Sequence, residues 1–361
     1  MAANTTIPHD IMLNIFSRLP AKSICRFRCL SKLWSRIFST TYFLNSVNSQ
    51  LHRKPDEQSV IFITRPREII KTIDKIQLNA VSRTIDFKPS HGWFKILGSC
   101  DGLILLQTFE CRVFLINPVT VEILEVPPAT ENRIRTHKYG FGYDPWNDEY
   151  KIVEARYSMP FVEKSKMAVE VYNVKQRVWK RVEDSPFIPS PSRYSHSAYL
   201  NGKIHWLVEK TVEAGDGYST IAAFDLASEA FKEIPLPSGI SLNRIIWQCK
   251  LVVFEGWLCI VESKCDSKND IWIMKQYEVA ESWTKYTFFG DFFGKNLKPL
   301  CSIKDDEMLL SSLNKLQVYN FNELSLRDAV IDAGPHTVVY DEAWPFVGSI
   351  LSPSVGSRLS E

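Results

Sequence analysis

The sequence predicts two unlike parts, α+β in separate domains: a small N-terminal three-helix bundle, then an all-β, propeller-like domain of about six blades. Three observations point there. Apolar side chains recur at helical spacing through residues 7–38, helical periodicity disappears after Val60, and one hairpin motif returns at intervals from Leu78 to Leu326.

The first helix is expected from about Pro8 to Leu19. Pro8 suits a first turn, where its missing N–H has no intrahelical partner to lose. Met12, Ile15, Phe16 and Leu19 follow the i, i+3, i+4, i+7 rule and form one apolar stripe; Pro20 stops the helix. A turn-rich second segment carries Ile24 and Phe27. The third helix begins near Ser31, a good N-cap residue, and sets Leu30, Trp34, Ile37 and Phe38 at helical spacing. So small a unit has too little interior for every apolar side chain it carries. Ile7, Ile11 and Met12 widen the stripe past what self-packing uses, and the surplus predicts a surface for a helical partner.

At 361 residues the chain has room for that bundle and one large domain. Its net charge of +2 is unevenly placed: residues 1–54 hold eight Lys and Arg against the single acid Asp10, which leaves −5 on the remainder. The basic residues form no contiguous run and are interleaved with core positions, which favours an acidic protein partner over nucleic acid. The eight cysteines contain no C-x-x-C pair, so zinc and thioredoxin-type chemistry have no support. Cys25 and Cys29, at i, i+4, read as small core residues. No basic segment followed by an apolar run opens the chain, and the longest apolar stretch, Leu251 to Val261, is broken by Glu255 and Gly256. A reducing intracellular location, cytoplasm and/or nucleus, is expected, with no membrane contact.

Residues 45–58 are polar and aperiodic. From Val60 on, short β-branched and aromatic runs alternate with Gly, Pro, Asn and Asp turns: Val60–Thr64, Leu103–Leu106, Val113–Asn117, Tyr150–Val153, Ala168–Val174, Lys203–Val208 and Ile271–Tyr277. The recurring motif is an apolar residue, then Asn, Asp or Glu, a short turn and a returning apolar residue. Its copies are Leu78-Asn79 with Ile85, Ile116-Asn117 with Ile123, Tyr172-Asn173 with Trp179, Phe224-Asp225 with Phe231, Tyr277-Glu278 with Trp283, and Tyr319-Asn320 with Leu326. The polar residue can bond its own turn backbone, and the returning side chain re-enters the core. Successive copies lie 38 to 56 residues apart, the spacing of four-stranded, kelch-type blades. The last strand-like run, Thr337–Ala343, is expected to pair with the first blade and close the ring, which removes exposed edges.

No stretch carries a catalytic pattern. Gly140-x-Gly142 lacks the third glycine of a dinucleotide loop, and neither a G-x-S-x-G elbow nor a P-loop occurs. Ser195-His196 and His205 have no acid at a diagnostic spacing, and His205, beside Trp206 in a strand, reads as hydrogen-bonded packing. Asp305-Asp306-Glu307 reads as a solvated turn, and Asp101, Asp144 and Asp225 as turn residues. No cofactor or metal is expected. Connecting loops are free of core duties. The longest irregular segments are Pro127–His137, Pro186–Tyr194 and Glu209–Ser219, and within them Arg133, Arg135, Arg193 and Tyr194 are candidate target contacts.

Residues 7–34 resemble the F-box, the adaptor-binding motif of SCF-type ubiquitin ligases. The resemblance rests on Ile7-Pro8, Asp10-Ile11-Met12, Ile15-Phe16 and Leu19, then Pro20, Lys22-Ser23-Ile24, Arg26-Phe27-Arg28-Cys29-Leu30-Ser31-Lys32 and Trp34. The Lys-Ser pair and the Arg-Phe-Arg-Cys run are close to the plant form; Ile7 stands where Leu is usual and Cys25 where Leu is common. Gly98-Ser99-Cys100-Asp101-Gly102-Leu103, Ile116-Asn117-Pro118, Gly140-Phe141-Gly142-Tyr143-Asp144, Gly202-Lys203-Ile204-His205-Trp206 and Trp272-Ile273-Met274 through Glu281-Ser282-Trp283 resemble the F-box-associated domain, over most of residues 60–345. Several of these motifs also occur in the pollen S-locus F-box group, whose members recognise pistil ribonucleases. That role, and a non-ligase interaction propeller, are the alternatives.

The resemblance implies an F-box at 1–44, a linker at 45–58, a propeller-like recognition domain at 59–348 and a polar tail at 349–361. It implies a non-catalytic substrate-recognition subunit that leads an unknown protein target to ubiquitination and proteasomal degradation. A Skp-family adaptor, and through it cullin and RING subunits, would be bound by Ile7, Pro8, Ile11, Met12, Ile15, Phe16, Leu19, Leu30 and Trp34. A propeller enzyme would instead need a nucleophilic or metal-binding cluster at its channel, for which the sequence offers no candidate.

Overall fold

The computed structural model describes residues 9–19, 21–28, 30–38, 40, 43, 47, 58–64, 70–74, 83–85, 93–129, 136–157, 167–189, 196–210, 218–240, 249–263, 268–289, 297–312, 315–329 and 340–355. Three short helices come first: α1 (His9–Ser17), α2 (Ala21–Arg28) and α3 (Lys32–Ile37). After α1 the Arg18 and Leu19 N–H groups bond the Ile15 and Phe16 carbonyls at 3.2 and 3.1 Å. Ser31 caps α3: its backbone is extended and its Oγ accepts the Trp34 N–H at 3.2 Å. The bundle interior is aromatic. Phe16 meets Phe27, Trp34 and Phe38 at ring-centroid distances of 5.1, 4.9 and 5.2 Å, all edge-on. Cys25 packs against this core as a small apolar group. Val47, inside the stretch that the sequence reads as linker, is buried in it too.

Beyond the bundle, the described residues form six β-sheets, with one short 3-10 segment. The first holds β1 (Gln58–Thr64), β2 (Ile70–Asp74) and β3 (Arg83–Ile85). The second is β4 (Trp93–Cys100), β5 (Leu103–Thr108), β6 (Val113–Asn117) and β7 (Glu122–Val126). The third is β8 (Thr136–Asp144), β9 (Glu149–Tyr157), β10 (Ala168–Asn173) and β11 (Val178–Arg181). The fourth has five strands, β12 (Phe187–Pro189), β13 (Ala198–Leu200), β14 (Lys203–Lys210), β15 (Tyr218–Asp225) and β16 (Ala230–Ile234). The fifth is β17 (Cys249–Phe254), β18 (Trp257–Ser263), β19 (Lys268–Met274) and β20 (Trp283–Phe289). The sixth is β21 (Lys298–Lys304), β22 (Glu307–Ser312), β23 (Lys315–Asn320) and β24 (Ser325–Asp328). The last strand, β25 (Tyr340–Val347), returns to the first sheet and pairs antiparallel with β1, from Gln58↔Val347 to Thr64↔Tyr340. It supplies the inner strand which that sheet otherwise lacks, and closes the ring as the sequence predicts.

The apolar core lies between the sheets. Six buried clusters are each shared by two neighbours: Leu105 and Leu115 with Phe141 and Tyr172, for example, and Val60 and Phe62 with Leu309 and Val318 across the closure. A blade alone would leave both faces wet, so the ring is the unit that folds. The glycines of the Gly140-x-Gly142 motif serve this packing. A Cβ on Gly140 would come within 2.4 Å of Ile204, and one on Gly142 within 2.2 Å of the Tyr199 ring, both on the next blade.

The repeated motif is a hairpin between third and fourth strands. Ile116 pairs with Ile123, Tyr172 with Trp179, Phe224 with Phe231 and Tyr319 with Leu326. The polar residue holds the turn. Asn117 Oδ1 accepts the Val119 and Thr120 N–H groups, Asp225 those of Ala227 and Ser228, and Asn320 those of Asn322 and Glu323. The fourth residue after each anchor turns left-handed: Val121, Arg177, Glu229 and Leu324. The fifth copy departs from this register. Trp283 pairs with Met274, not Tyr277, because β19 stops at Met274 and a longer turn with a 3-10 segment at Ala280–Ser282 follows. Tyr277 leaves the sheet for another partner. The first copy begins at Leu78-Asn79, outside the described residues.

Candidate interaction surfaces

Antiparallel strands alternate direction, so strand parity sorts the connections onto two rims. Turns from first to second and from third to fourth strand share one rim. Turns from second to third strand, and all blade-to-blade connections, share the other. On the first rim most of the described turns are tight, the longer one between β19 and β20 excepted. Asp101-Gly102 and Asn201-Gly202 have left-handed φ at both residues, as two-residue hairpin turns with right-handed strand twist require. Asp144 Oδ1 accepts the Trp146 and Asn147 N–H groups at 3.0 and 3.3 Å, so Asp101, Asp144 and Asp225 are turn residues.

These turns also tie blade to blade. Tyr150 donates to Asp101 Oδ2 at 2.7 Å. Buried Lys151 donates to Asp144 Oδ2 at 2.9 Å and to the Leu226 carbonyl of the next blade at 2.7 Å. Burial opposes ionisation of Asp144, yet bonds from Asn147 and Lys151 hold its carboxyl below the ordinary value. Lys203 and Lys232 both pair with Glu278, and the Ser302 N–H reaches Glu255 at 3.0 Å. His205 belongs to the same set. It is fully buried, with Nδ1 3.0 Å from the Ala198 carbonyl and Nε2 2.6 Å from the Tyr277 hydroxyl of the next blade. Both ring nitrogens are used when the neutral ring donates from Nδ1 and accepts at Nε2. Burial pulls its pKa down to about 4. It is a packing residue, as the sequence suggests.

The helical bundle sits on this rim. Ile350, just past β25, is buried in the bundle core, and Val119 from the β6–β7 turn packs against it. Asn117 Nδ2 donates to the Ser349 and Leu351 carbonyls at 3.1 and 2.6 Å. Residues 349–351, which the sequence places in a polar tail, are therefore buried parts of the junction. Their burial follows from the closing strand, whose end is carried directly beneath the helices.

On the bundle itself the predicted contact residues separate into two groups. Ile11 and Ile15 are about half exposed and Leu30 is 70% exposed. Met12 is partly covered. Phe16, Leu19 and Trp34 pack against the bundle core; they shape the surface more than they present it. Leu33, 65% exposed, joins the open group and escaped the sequence reading. Its signal was spacing three residues on from Leu30, off the Trp34–Phe38 stripe. Ile7 and Pro8 lie outside the described residues.

On the opposite rim, structure trims the irregular segments. Thr136 and His137 belong to β8, Phe187–Pro189 forms β12, and Glu209–Lys210 and Tyr218–Ser219 belong to β14 and β15. The strand ends that flank the first and third lie at this far rim. The second interrupts the inner edge of the fourth sheet, where β12 and β13 both pair with β14. Arg133, Arg135, Arg193 and Tyr194 lie outside the described residues. At the foot of the first segment, His137 Nδ1 lies 2.5 Å from buried Glu154, to which Tyr139 donates at 3.0 Å. Asp306 and Glu307, read as a solvated turn, are engaged: Asp306 accepts from Asn320 and Asn322, and Glu307 pairs with Arg327 at 3.1 Å. Among the described residues no group of three His, Cys, Asp or Glu could hold a metal, and no helix is long and apolar enough to cross a membrane.

Comparison with known proteins adds to this geometry. Residues 59–323 match the model of the F-box associated beta propeller domain, and residues 5–46 that of the F-box domain. F-box protein CPR1 of Arabidopsis thaliana is 29% identical over 351 residues, covering 88% of this chain and 82% of the relative. F-box protein At3g07870 is 26% identical, covering 93% and 90%, and F-box/kelch-repeat protein At3g23880 is 26% identical, covering 77% and 78%, both from the same organism. Among solved structures, the complex of KlAtg21 with coiled-coil of AgAtg16 matches at TM-score 0.42 and 11% identity, covering 78% of each chain.

Proposed function

We propose a function from one premise: the chain belongs to the F-box-associated β-propeller family and carries an F-box ahead of that domain. It acts as the substrate-recognition subunit of an SCF-type ubiquitin ligase, in the cytoplasm or nucleus. The helical face docks a Skp-family adaptor and, through it, cullin and RING subunits. The far rim of the propeller takes the protein target. Chemistry is left to the other subunits; this chain contributes proximity, raising the effective concentration of target lysines near the charged conjugating enzyme.

The observation that carries the reading is a finished helical core with apolar side chains left outside it. Phe16, Trp34 and Phe38 complete the interior, while Ile11, Ile15, Leu30 and Leu33 stay open on α1 and around α3. Water contact at such a patch is what a partner helix removes. The packed junction at Val119 and Ile350 then supports a fixed span between adaptor and target.

The test is adaptor binding by the full chain. Ile11→Asp with Ile15→Asp places carboxylates in the interface, at roughly 2 kcal/mol or more each, so affinity falls at least about a hundredfold. Both side chains are outside the core, so the thermal midpoint and circular dichroism stay near wild type. Near wild-type adaptor affinity in that variant would sink the assignment.

A further inference from the structure

The run Arg26-Phe27-Arg28-Cys29-Leu30-Ser31 leads from α2 into the break before α3. It sets two arginines five and three residues ahead of a serine. The chain has three Arg-x-Arg pairs, Arg26 with Arg28, Arg65 with Arg67 and Arg133 with Arg135, and only the first has Ser or Thr three residues past its second arginine. Basophilic protein kinases read that spacing with acidic side chains in the substrate groove, a charge pattern that sets their specificity. The wider charge balance suits the same partner. Residues 1–54 hold eight Lys and Arg against the single acid Asp10, which steers an acidic groove toward the bundle.

Ser31 is placed for such a reaction. It is exposed, as is Arg26, while Arg28 is half-buried. Its backbone is extended, at φ −158° and ψ 156°, the form in which a kinase groove takes up a chain. The break is held by the Leu30 N–H on the Phe27 carbonyl at 3.1 Å and by Ser31 Oγ, which accepts the Trp34 N–H at 3.2 Å. α2 is only eight residues long, so its last turn opens at little cost. Arg28 has an interaction within the chain, which that opening exchanges for a carboxylate of the kinase. Ser31 also belongs to the contact face. Its neighbours Leu30 and Leu33 are the most exposed of the four open apolar residues on the bundle.

We propose that Ser31 is a phosphorylation site for a basophilic serine/threonine kinase, and that its phosphate blocks adaptor docking. The proposal rests on the reading of the helical face as the adaptor face, and adds its regulation. Ser31 Oγ attacks the γ-phosphorus of magnesium ATP; the Oγ–P bond forms as the bond to the bridging oxygen breaks, ADP leaves, and the hydroxyl proton passes to a carboxylate of the kinase. The product carries a charge of about −1.5 to −2 between Leu30 and Leu33. Docking would strip water from that anion among apolar side chains, which opposes the complex. An acidic partner, which the basic bundle otherwise favours, then meets like charge. The competition runs both ways. A seated adaptor covers Ser31, so the kinase acts on the free chain and each partner excludes the other.

The test incubates the full chain with magnesium ATP and a kinase that reads arginine at both positions, and locates phosphate by tandem mass spectrometry. Ser31 is expected to be modified, at least about tenfold more slowly when the adaptor is bound first. Arg26→Gln slows the transfer at least about fivefold, because one of the two cations read by the groove is lost. The phosphorylated chain is expected to bind the adaptor at least about a hundredfold more weakly, with its circular dichroism unchanged. Treatment with a protein phosphatase restores the affinity, which separates a blocked face from a damaged fold. Ser31 left unmodified overturns the proposal. So does a phosphorylated chain that holds the adaptor within about threefold of the unmodified one, a loss of binding that the phosphatase does not reverse, or a transfer rate indifferent to the adaptor. Each of these leaves the adaptor reading standing. An unmodified chain that fails to bind the adaptor overturns both.

Discussion

The two rims of the ring are made from the same strands and built to different rules. On the rim that carries the helices, tight turns fold back on Asn or Asp anchors, and several also bond the next blade. Lys151 to Leu226, Lys203 and Lys232 to Glu278, and His205 to Tyr277 are ties of this kind. On the far rim many connections are longer, among them those that follow β7 and β14, which take nine and seven residues to reach the next strand. The difference teaches where sequence is free to change. A turn that clasps its neighbour has its residues fixed twice, once by its own backbone and once by the adjacent blade. A connection that only returns the chain is fixed by neither, and that leaves it available for recognition.

The largest way to break this contrast is to open the ring. Ending the chain at residue 339 removes β25, exposes the edge of β1, and strips Trp344 and Phe346 from one inter-blade core and Ala343 from another. No local repair replaces an inner strand. Such a truncated chain is expected to lose cooperative thermal unfolding and to aggregate. A sharp transition near the wild-type midpoint would show that closure is not what holds the blades together.

A smaller effect, confined to the tied rim, follows from His205. Its folded pKa of about 4 lies below its ordinary value of 6.5, so the stabilising contribution of the neutral ring is complete above pH 6.5. As pH falls from there toward 4, the unfolded chain takes up a proton that the folded one refuses, and stability drops by roughly 3 kcal/mol. Below 4 this group contributes no further loss. His205→Asn removes that part of the pH dependence. The check is the urea midpoint at pH 7 and at pH 4.5 for both proteins; equal pH dependence in the two would mean the His205–Tyr277 tie does not titrate this way.

Asn117 gives the next step down. Its amide holds the β6–β7 turn on one side and the carbonyls of Ser349 and Leu351 on the other. Asn117→Ala frees buried polar groups at the junction and is expected to cost about 2 kcal/mol. Because Ile350 lies between those carbonyls and belongs to the helical core, proteolysis near residue 350 should quicken in the same variant. Loss of stability without that change would place the effect in the turn alone.

The helical part and the alternation of strands were legible in the sequence because both rest on local signals. Stripe spacing, Pro20, the Ser31 cap and the Asn or Asp anchors each act within a few residues of where they stand. Ring closure was legible from the surplus strand. What escaped depended on contacts between distant segments. Tyr277 carries the right letters for the repeat, but its hydroxyl is drawn to His205 of another blade, and the register falls to Met274. Ser349 and Leu351 look like the start of a polar tail until Asn117 is brought over them by the fold. The contact face was half read: hydrophobicity marked Ile15 and Phe16 alike, and only packing separates the exposed one from the one set edge-on against Trp34.

The smallest effect on stability tests the far rim. Arg133 and Arg135 belong to the connection between β7 and β8, whose flanks are fixed by a Trp179 Nε1 bond to the Pro127 carbonyl at 2.7 Å and by the His137–Glu154 contact. Connections between strands are generally free of the packing duties that strands carry. Arg133→Ala with Arg135→Ala is therefore expected to change stability by less than about 0.5 kcal/mol and to leave adaptor binding as it was. Target capture should fall, because two cations at the recognition rim are lost. The same holds for Arg193→Ala with Tyr194→Ala, beside the interrupted inner strand. Ubiquitination of a captured target, with adaptor affinity and thermal midpoint measured on the same preparations, separates the outcomes. If both pairs of variants, and alanine substitutions across residues 211–217, keep full target ubiquitination, recognition does not use these connections and the contrast between the rims is one of architecture only.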